Sequence, residues 1–112
     1  MSQVLDKRTA DNRLFDIDCS KLLQAGETIT SITSVLADQG GLVFTSPTVN
    51  SVPITYPDGR VVPIGQVCQV LISGGAIPST TYHLNCTIRA LFVTSINLAL
   101  EATVVLRLIN TP

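Results

Sequence analysis

The chain has 112 residues, a formal net charge of −1 and a mean hydropathy of +0.42. The length is typical of a single domain, and the near-neutral balance lacks the concentrated positive field that binding to nucleic acid requires. There is no run of 18 apolar residues, so no membrane span is expected. Residues 1–13 contain no apolar core of a signal peptide, so we expect an intracellular product or one released by lysis.

Charged residues are scarce and unevenly distributed. They make up 13% of the chain, against about 25% in an average soluble domain. Residues 1–21 carry eight of them, and the remaining 91 residues carry seven. Depletion of charge is a property of interface cores, and interspersed surface charge keeps monomers apart. The pattern fits a low-charge β protein or, as we favour, a subunit that buries much of its surface and associates with copies of itself.

The first half of the chain is a series of short β-type runs after a polar start. Residues 1–13 have mixed charge and no periodicity, which predicts an extended arm that is ordered only if something holds it. The next segments are predicted from alternation, β-branched content and turn residues. They are a strand at 14–18, a bend at 20–26, a strand at 27–36, a turn at 38–41 and a strand from 42 to 45 that ends near Pro47.

The second half contains a strong turn and the clearest alternation. Tyr56-Pro57-Asp58-Gly59 is a turn sequence that predicts a small hairpin. The predicted strands are a weak edge strand at 49–55, a short one at 60–64, a central one at 66–72 and two alternating ones at 82–91 and 101–108. About seven to nine short strands without a convincing helix indicate an all-β sandwich or barrel.

No group of residues predicts a reaction. The three cysteines, Cys19, Cys68 and Cys86, are odd in number and lack the spacing of a zinc site, so we expect reduced thiols. Asp16 and Asp18 share one face of a strand and could bind a cation, although such a pair is more often a solvated face. We therefore expect no enzyme activity, no catalytic residue, no cofactor and no metal.

A lone histidine and a glycine pair are equally uninformative. His83 lies on the outward side of its strand, where a surface histidine is the usual interpretation. Ser73-Gly74-Gly75 lacks the Lys-Ser/Thr and the helix of a phosphate-binding loop, so it is interpreted as a turn that ends a strand.

Two parts of the chain resemble a known family. Residues 14–29, an aspartate-rich strand followed by a bend and a Gly-Glu-Thr-Ile step, resemble an opening found in small tailed-bacteriophage virion proteins. Leu71-Ile72-Ser73-Gly74-Gly75 and residues 80–88 resemble the closing half of the same proteins, and also the tyrosine-containing strand entry of immunoglobulin-like sandwiches. The sequence departs from that pattern at Cys19-Ser20-Lys21, where an aromatic residue is expected, and in the inserted hairpin at 56–64.

This resemblance implies an immunoglobulin-like β-sandwich at 14–112 preceded by the extended arm at 1–13. It also implies a structural virion protein, most concretely a capsid decoration (cement) protein, assembled in the host cytoplasm. Its expected partners are the major capsid protein or other virion proteins and further copies of itself, with no nucleic acid or membrane. Charge placement and loop exposure suggest the interface residues Lys7, Arg8, Arg13, Tyr56, Asp58 and Arg60. On this hypothesis, deleting residues 1–12 abolishes shell binding and leaves the fold intact.

Two alternatives come from other classes of function. A neck, tail or fibre-base component would use the same fold at low copy number, with the hairpin tip touching other tail proteins or a receptor. A small cation- or glycan-binding module would use Asp16, Asp18 or the loop tips.

Overall fold

The computed structural model describes residues 4–77 and 83–109, and these form nine strands and one short 3₁₀ turn at Ser20–Leu22. The strands are β1 (Val4–Arg8), β2 (Arg13–Asp18), β3 (Ile29–Ala37), β4 (Leu42–Val49), β5 (Ile54–Thr55), β6 (Val61–Val62), β7 (Val67–Gly74), β8 (His83–Thr94) and β9 (Ala99–Ile109). Within these ranges no helix has the length and apolar character that crossing a membrane requires.

Two main sheets and a hairpin account for all of these strands. The four-stranded sheet has the order β1-β9-β8-β3, the three-stranded sheet has the order β2-β7-β4, and β5 pairs with β6. Neighbouring strands are antiparallel except β1 and β9, which are parallel. The predicted all-β class is confirmed, and so is the central position of the apolar strand now seen as β7.

One hydrophobic core lies between the inner faces of the two main sheets. Ile17 from β2 and Ile72 from β7 share it with Ile88 from β8 and Leu106 from β9, and all four side chains have no exposed surface. Alternation puts these residues inside, because successive side chains of a strand point to opposite faces. The inward positions predicted for β8 and β9 are confirmed for every one that the structure describes.

Strand β4 continues past the point where the sequence predicted its end. Pro47 lies inside Leu42–Val49, and the register of β4 against β7 shifts between Thr45 and Thr48. Ser46 has a φ of 48°, which is the local distortion that accompanies the shift. The strand tolerates proline because β4 is at the edge of its sheet, where a backbone N–H is dispensable. The weak strand predicted at 49–55 is reduced to Ile54–Thr55.

The described start of the chain, β1, is a strand of the four-stranded sheet. Strand β1 pairs with β9 from Val4 opposite Val105 to Arg8 opposite Ile109. On the outer face, the Arg107 guanidinium donates two hydrogen bonds, of 2.9 and 3.1 Å, to the Asp6 carboxylate. Residues 4–8 therefore cover the edge of β9. This pairing gives no support to the expectation that deleting residues 1–12 leaves the fold intact.

The turn predicted at 38–41 is present and is closely packed. Gly40 has a φ of +97°, and a Cβ atom built there lies 2.8 Å from Cys86 Sγ. A glycine meets both demands, since it accepts positive φ and leaves room for the sulfur. Cys86 itself is a free thiol in the core, as are Cys19 and Cys68, which is the state the sequence predicted.

Candidate interaction surface

The hairpin of β5 and β6 is built by the turn that the sequence predicted. The Tyr56 N–H donates to the Arg60 carbonyl at 2.8 Å, and the Gly59 N–H donates to the Tyr56 carbonyl at 2.9 Å. Asp58 Oδ1 accepts a hydrogen bond from the Arg60 N–H at 3.0 Å. Gly59 has a φ of +87°, a conformation that glycine adopts without strain.

Arg60 fastens this hairpin to the end of β2. Its guanidinium lies 4.5 Å from the centre of the Tyr56 ring and donates from Nη1 to Asp18 Oδ2 at 2.5 Å. The Arg60 side chain remains 45% exposed, whereas that of Asp18 is only 10% exposed. Asp18 Oδ1 also accepts a hydrogen bond from the Ser20 N–H at 2.9 Å. The hairpin tip is therefore held in one orientation, while the Arg60 guanidinium remains partly exposed to solvent.

The electrostatics of the Asp18–Arg60 ion pair, which we call the Asp18 anchor, follow from these contacts. Burial acts to raise the pKa of Asp18, but the hydrogen bonds from Ser20 and Arg60 and the positive charge of Arg60 outweigh it, so the pKa lies below its usual value. Burial, together with the nearby carboxylates of Asp18 and Asp16, raises the pKa of Tyr56 to about 12. The Tyr56 hydroxyl is buried and has no hydrogen-bond partner within the described part of the chain. Asp18 is ionised and Tyr56 neutral at neutral pH.

Exposed aliphatic side chains surround the hairpin. Ten large hydrophobic side chains are exposed among the described residues. Six of these belong to loops or strand ends near the hairpin, and we call them the loop-end cluster: Leu22 (46%), Val52 (62%), Val61 (55%), Ile64 (53%), Ile96 (51%) and Leu98 (43%). Exposed apolar side chains that are grouped on a protein surface are a common feature of protein-binding sites.

Backbone hydrogen bonds bring these loops to the same end of the molecule. The Ser95 N–H, in the β8–β9 turn, donates to the Thr28 carbonyl at 2.8 Å, and the Thr28 N–H donates to Ser95 Oγ at 3.1 Å. The Ile29 N–H then donates to the Gly65 carbonyl at 2.7 Å, next to Ile64. The Cys19 N–H, just before the 3₁₀ turn, donates to the Gln66 carbonyl at 3.0 Å. Four separate segments therefore lie at the same end of the molecule.

The interface residues predicted in the arm do not join this surface. Lys7 is 1% exposed and its ammonium donates to the carbonyls of Arg8 at 2.8 Å and Gly74 at 2.6 Å. Burial lowers its pKa, and Asp11 partly opposes that shift. Lys7 therefore does not lie at the surface, where the sequence analysis expected it, because alternation along β1 turns its side chain into the protein.

The two remaining arm residues are exposed at the opposite end from the hairpin. Arg8 ends β1 beside Ile109. Arg13 begins β2, and its guanidinium is 6.0 Å from the centre of the Phe15 ring. Of the six predicted interface residues, the structure brings together only Tyr56, Asp58 and Arg60.

The carboxylates considered for cation binding have protein partners. Asp16 Oδ1 accepts a hydrogen bond from Gln69 Nε2 at 3.0 Å, and Asp18 is paired with Arg60. No group of three or more potential metal ligands occurs among residues 4–77 and 83–109. His83 is exposed on the outer face of β8, as predicted.

Sequence reasoning missed Asn50, which organises the base of the hairpin. Its Oδ1 accepts hydrogen bonds from the N–H groups of Gly65, Gln66 and Val67 at 3.0, 3.1 and 3.0 Å. Its Nδ2 donates to the carbonyls of Val52 at 2.8 Å and Pro63 at 3.1 Å. An asparagine just after a strand and before Pro53 is a weak turn signal, but its partners are 13 to 17 residues distant for all but one bond.

Comparison with known proteins identifies the family. The family model described as podophage GP4 fiber-tail adaptor protein gp77 matches residues 7–107. No curated protein and no solved structure matches the chain significantly. The family match does not support the capsid-decoration prediction and fits the alternative of a neck, tail or fibre-base component better. The chain belongs to this family of podophage fiber-tail adaptor proteins and is a structural protein of a tailed-phage virion.

Proposed function

We propose that this protein is a mechanical connector at the tail of a podophage, where it joins a fibre-bearing component to the tail. The observation that carries the proposal is the family match, which spans residues 7–107 and therefore nearly the whole described fold. The proposed role requires no reaction, only surfaces that bind other virion proteins. Association with further copies of this chain stays a prediction.

The loop-end cluster is the surface that we propose for one of these contacts. Its aliphatic side chains are 43–62% exposed, and their burial against a partner supplies the favourable free energy of association. Arg60 and Tyr56 lie beside it, and these two residue types are enriched among the residues that dominate binding energy. The Asp18 anchor supports the proposal because a preordered tip loses little conformational entropy on binding.

The strand order also supports the immunoglobulin-like sandwich that the sequence suggested. The order β2-β7-β4 corresponds to strands B, E and D of that fold, and β3-β8-β9 corresponds to strands C, F and G. In this scheme β1 is the first strand, shifted to pair with the last one.

Copy number in purified virions tests the position of the protein. A tail connector follows the cyclic symmetry of the tail and is present in on the order of ten copies, which quantitative mass spectrometry of virions measures. Hundreds of copies per particle would contradict the proposal and restore capsid decoration.

A matched pair of variants tests the surface. Ile64→Lys places a charge in the loop-end cluster, whereas Leu14→Lys places one at an equally exposed position on β2 outside it. We expect virions made with I64K to contain less of this protein and of the fibre, and virions made with L14K to contain normal amounts. Equal incorporation of the two variants, with unchanged thermal unfolding, would rule out the loop-end cluster as a contact.

A further inference from the structure

We propose that the groove between β3 and β4 binds an extended, uncharged segment of another virion protein, which adds to the protein as a β-strand. This inference goes beyond the connector role, because it assigns a second contact and the chemistry of its partner. It concerns a different part of the surface from the loop-end cluster.

The groove lies between β3 and β4, the neighbouring edge strands of the two main sheets. It has a volume of about 280 Å³ and is lined mainly by Val35, Leu36 and Ala37 of β3 and by Leu42 and Phe44 of β4. Leu42 and Phe44 point toward the core but are only half-buried, whereas inward residues in the middle of the central strands, such as Ile72 and Ile88, are completely buried. Apolar core surface is therefore accessible from solvent along this side.

Both walls of the groove are sheet edges. β3 is the last strand of one main sheet and β4 is the last strand of the other, and no described strand pairs with their outer sides. An edge strand presents a row of unpaired N–H and C=O groups, which is a template for a further strand. The register is regular at residues 34–37 of β3 and 42–45 of β4, while the shifts fall outside these segments. The regular halves are the ones that line the groove.

Charge defines what the groove accepts. Residues 29–37 and 42–49 contain no charged side chain, although natural edge strands are commonly protected by charges. Asp38, in the turn between them, uses Oδ1 to accept a hydrogen bond from the Thr87 N–H at 2.8 Å. The complementary ligand is thus an uncharged strand with apolar side chains at alternate positions, because one of its faces must enter the groove.

A second copy of this chain does not fit the groove. The edge strands of a folded copy have their inner faces packed in their own core, as Val35 shows with 8% exposure. Such a copy can pair edge to edge, but its edge strands carry only single exposed large apolar side chains, Leu36 on β3 and Val43 on β4, and not an alternating apolar face to insert. A segment that belongs to no sheet before binding can do both: its backbone can hydrogen-bond to an edge strand, and its apolar side chains can enter the groove. The accessible core surface next to the groove favours such a segment.

Site-specific crosslinking in virions tests the occupant. A photo-crosslinking amino acid replaces Gln39, which is exposed at the groove, and in a control virion it replaces Thr103, exposed on the outer face of β9. We expect the probe at position 39, and not at position 103, to crosslink to one other virion protein within an uncharged, alternating segment identified by mass spectrometry. Crosslinking to a copy of this chain, to a charged segment, or to nothing would overturn the proposal.

A second pair of variants tests the groove lining with the same probe. Leu36 and Val43 are 54% and 55% exposed, but only Leu36 lines the groove. In Gln39-probe virions we expect Leu36→Lys to reduce the crosslink about tenfold or more, and Val43→Lys to leave it unchanged. An equal effect of L36K and V43K would contradict strand binding. These outcomes do not depend on copy number, so failure of the groove proposal and failure of the connector proposal are distinguishable.

Discussion

At the scale of single residues, Asn50 joins two segments that are separated in the sequence, residues 50–52 and residues 63–67. Its side chain is 2% exposed and makes five hydrogen bonds to backbone groups. Buried polar groups of the backbone cost about 1–3 kcal/mol each when they lose a partner. The base of the hairpin, and with it the loop-end cluster, depends on this one amide.

Substitution of Asn50 tests this dependence. Asn50→Asp keeps an acceptor for three N–H groups but removes both donors and buries a charge, so we expect the free energy of unfolding to fall by about 2–4 kcal/mol. Urea denaturation measures the change. Asn85→Asp, at an exposed position on β8, is the control and should cost under about 0.5 kcal/mol. Equal stability of the two variants would contradict the role of Asn50.

The ionisation of Asp18 determines how its ion pair with Arg60 responds to low pH. Its pKa is lower in the folded protein than the usual value of 3.8, so its stabilising contribution is complete above that value and is lost as the pH falls through the folded pKa. We expect the difference in melting temperature between wild type and Asp18→Asn to be constant near neutral pH and to shrink below about pH 4. Thermal unfolding across this pH range measures it, and a difference independent of pH would refute the assignment.

At the scale of elements, β1 shows how a polar segment becomes part of a sheet. It supplies a parallel partner to β9 along five residue pairs, and Lys7 inside it donates to the carbonyl of Gly74, the last residue of β7. The absence of periodicity at 1–13 concealed this strand, because it is short and its buried position is occupied by a lysine. Local sequence gives little warning of such a case, since buried lysines are rare.

Removal of β1 is therefore expected to destabilise the fold. Deleting residues 1–8 exposes the edge of β9 and takes away both carbonyl contacts of Lys7, and we expect a loss of about 2–4 kcal/mol in the free energy of unfolding. Asp6→Asn is the control, because it removes only an exposed ion pair worth under about 1 kcal/mol. A truncated protein as stable as wild type in urea would show that the segment is an independent arm.

The longer elements were more predictable than the short ones. Strands β8 and β9 alternate over many residues, so their inward faces could be assigned from the sequence alone. The Tyr56–Gly59 turn was equally clear, because proline and glycine determine its backbone locally. The end of β4 was misplaced, since an edge position decides whether Pro47 interrupts a strand and that position is not a local property.

At the scale of the whole molecule, the core buries all three thiols. Burial raises the pKa of Cys19 to about 12 and that of Cys68 to about 11, and it also raises the pKa of Cys86. Because these pKa values are raised, little thiolate is present at neutral pH. The thiolate is the reactive form of cysteine, so we expect the three thiols to react slowly. Both of the main sheets contribute to this protection.

A thiol assay reports on the integrity of this core. We expect the folded protein to react negligibly with a disulfide reagent at about pH 8, and all three cysteines to react in denaturant. Rapid reaction of one thiol without denaturant would show that the core opens locally or that the two sheets are packed less closely than described.

The fold class, most strand faces and the hairpin turn could be deduced from the residues in order, because alternation and turn chemistry act over a few neighbours. The interface residues could not. Lys7 was assigned to the surface by its charge, yet in the strand that pairs with β9, where Lys7 lies opposite Leu108, its side chain points inward. The loop-end cluster and the β3–β4 groove exist only after distant segments meet, since hydrogen bonds between loops and the order of strands within two sheets place them. Long-range pairing, which no local pattern encodes, decides where the two proposed contact surfaces lie.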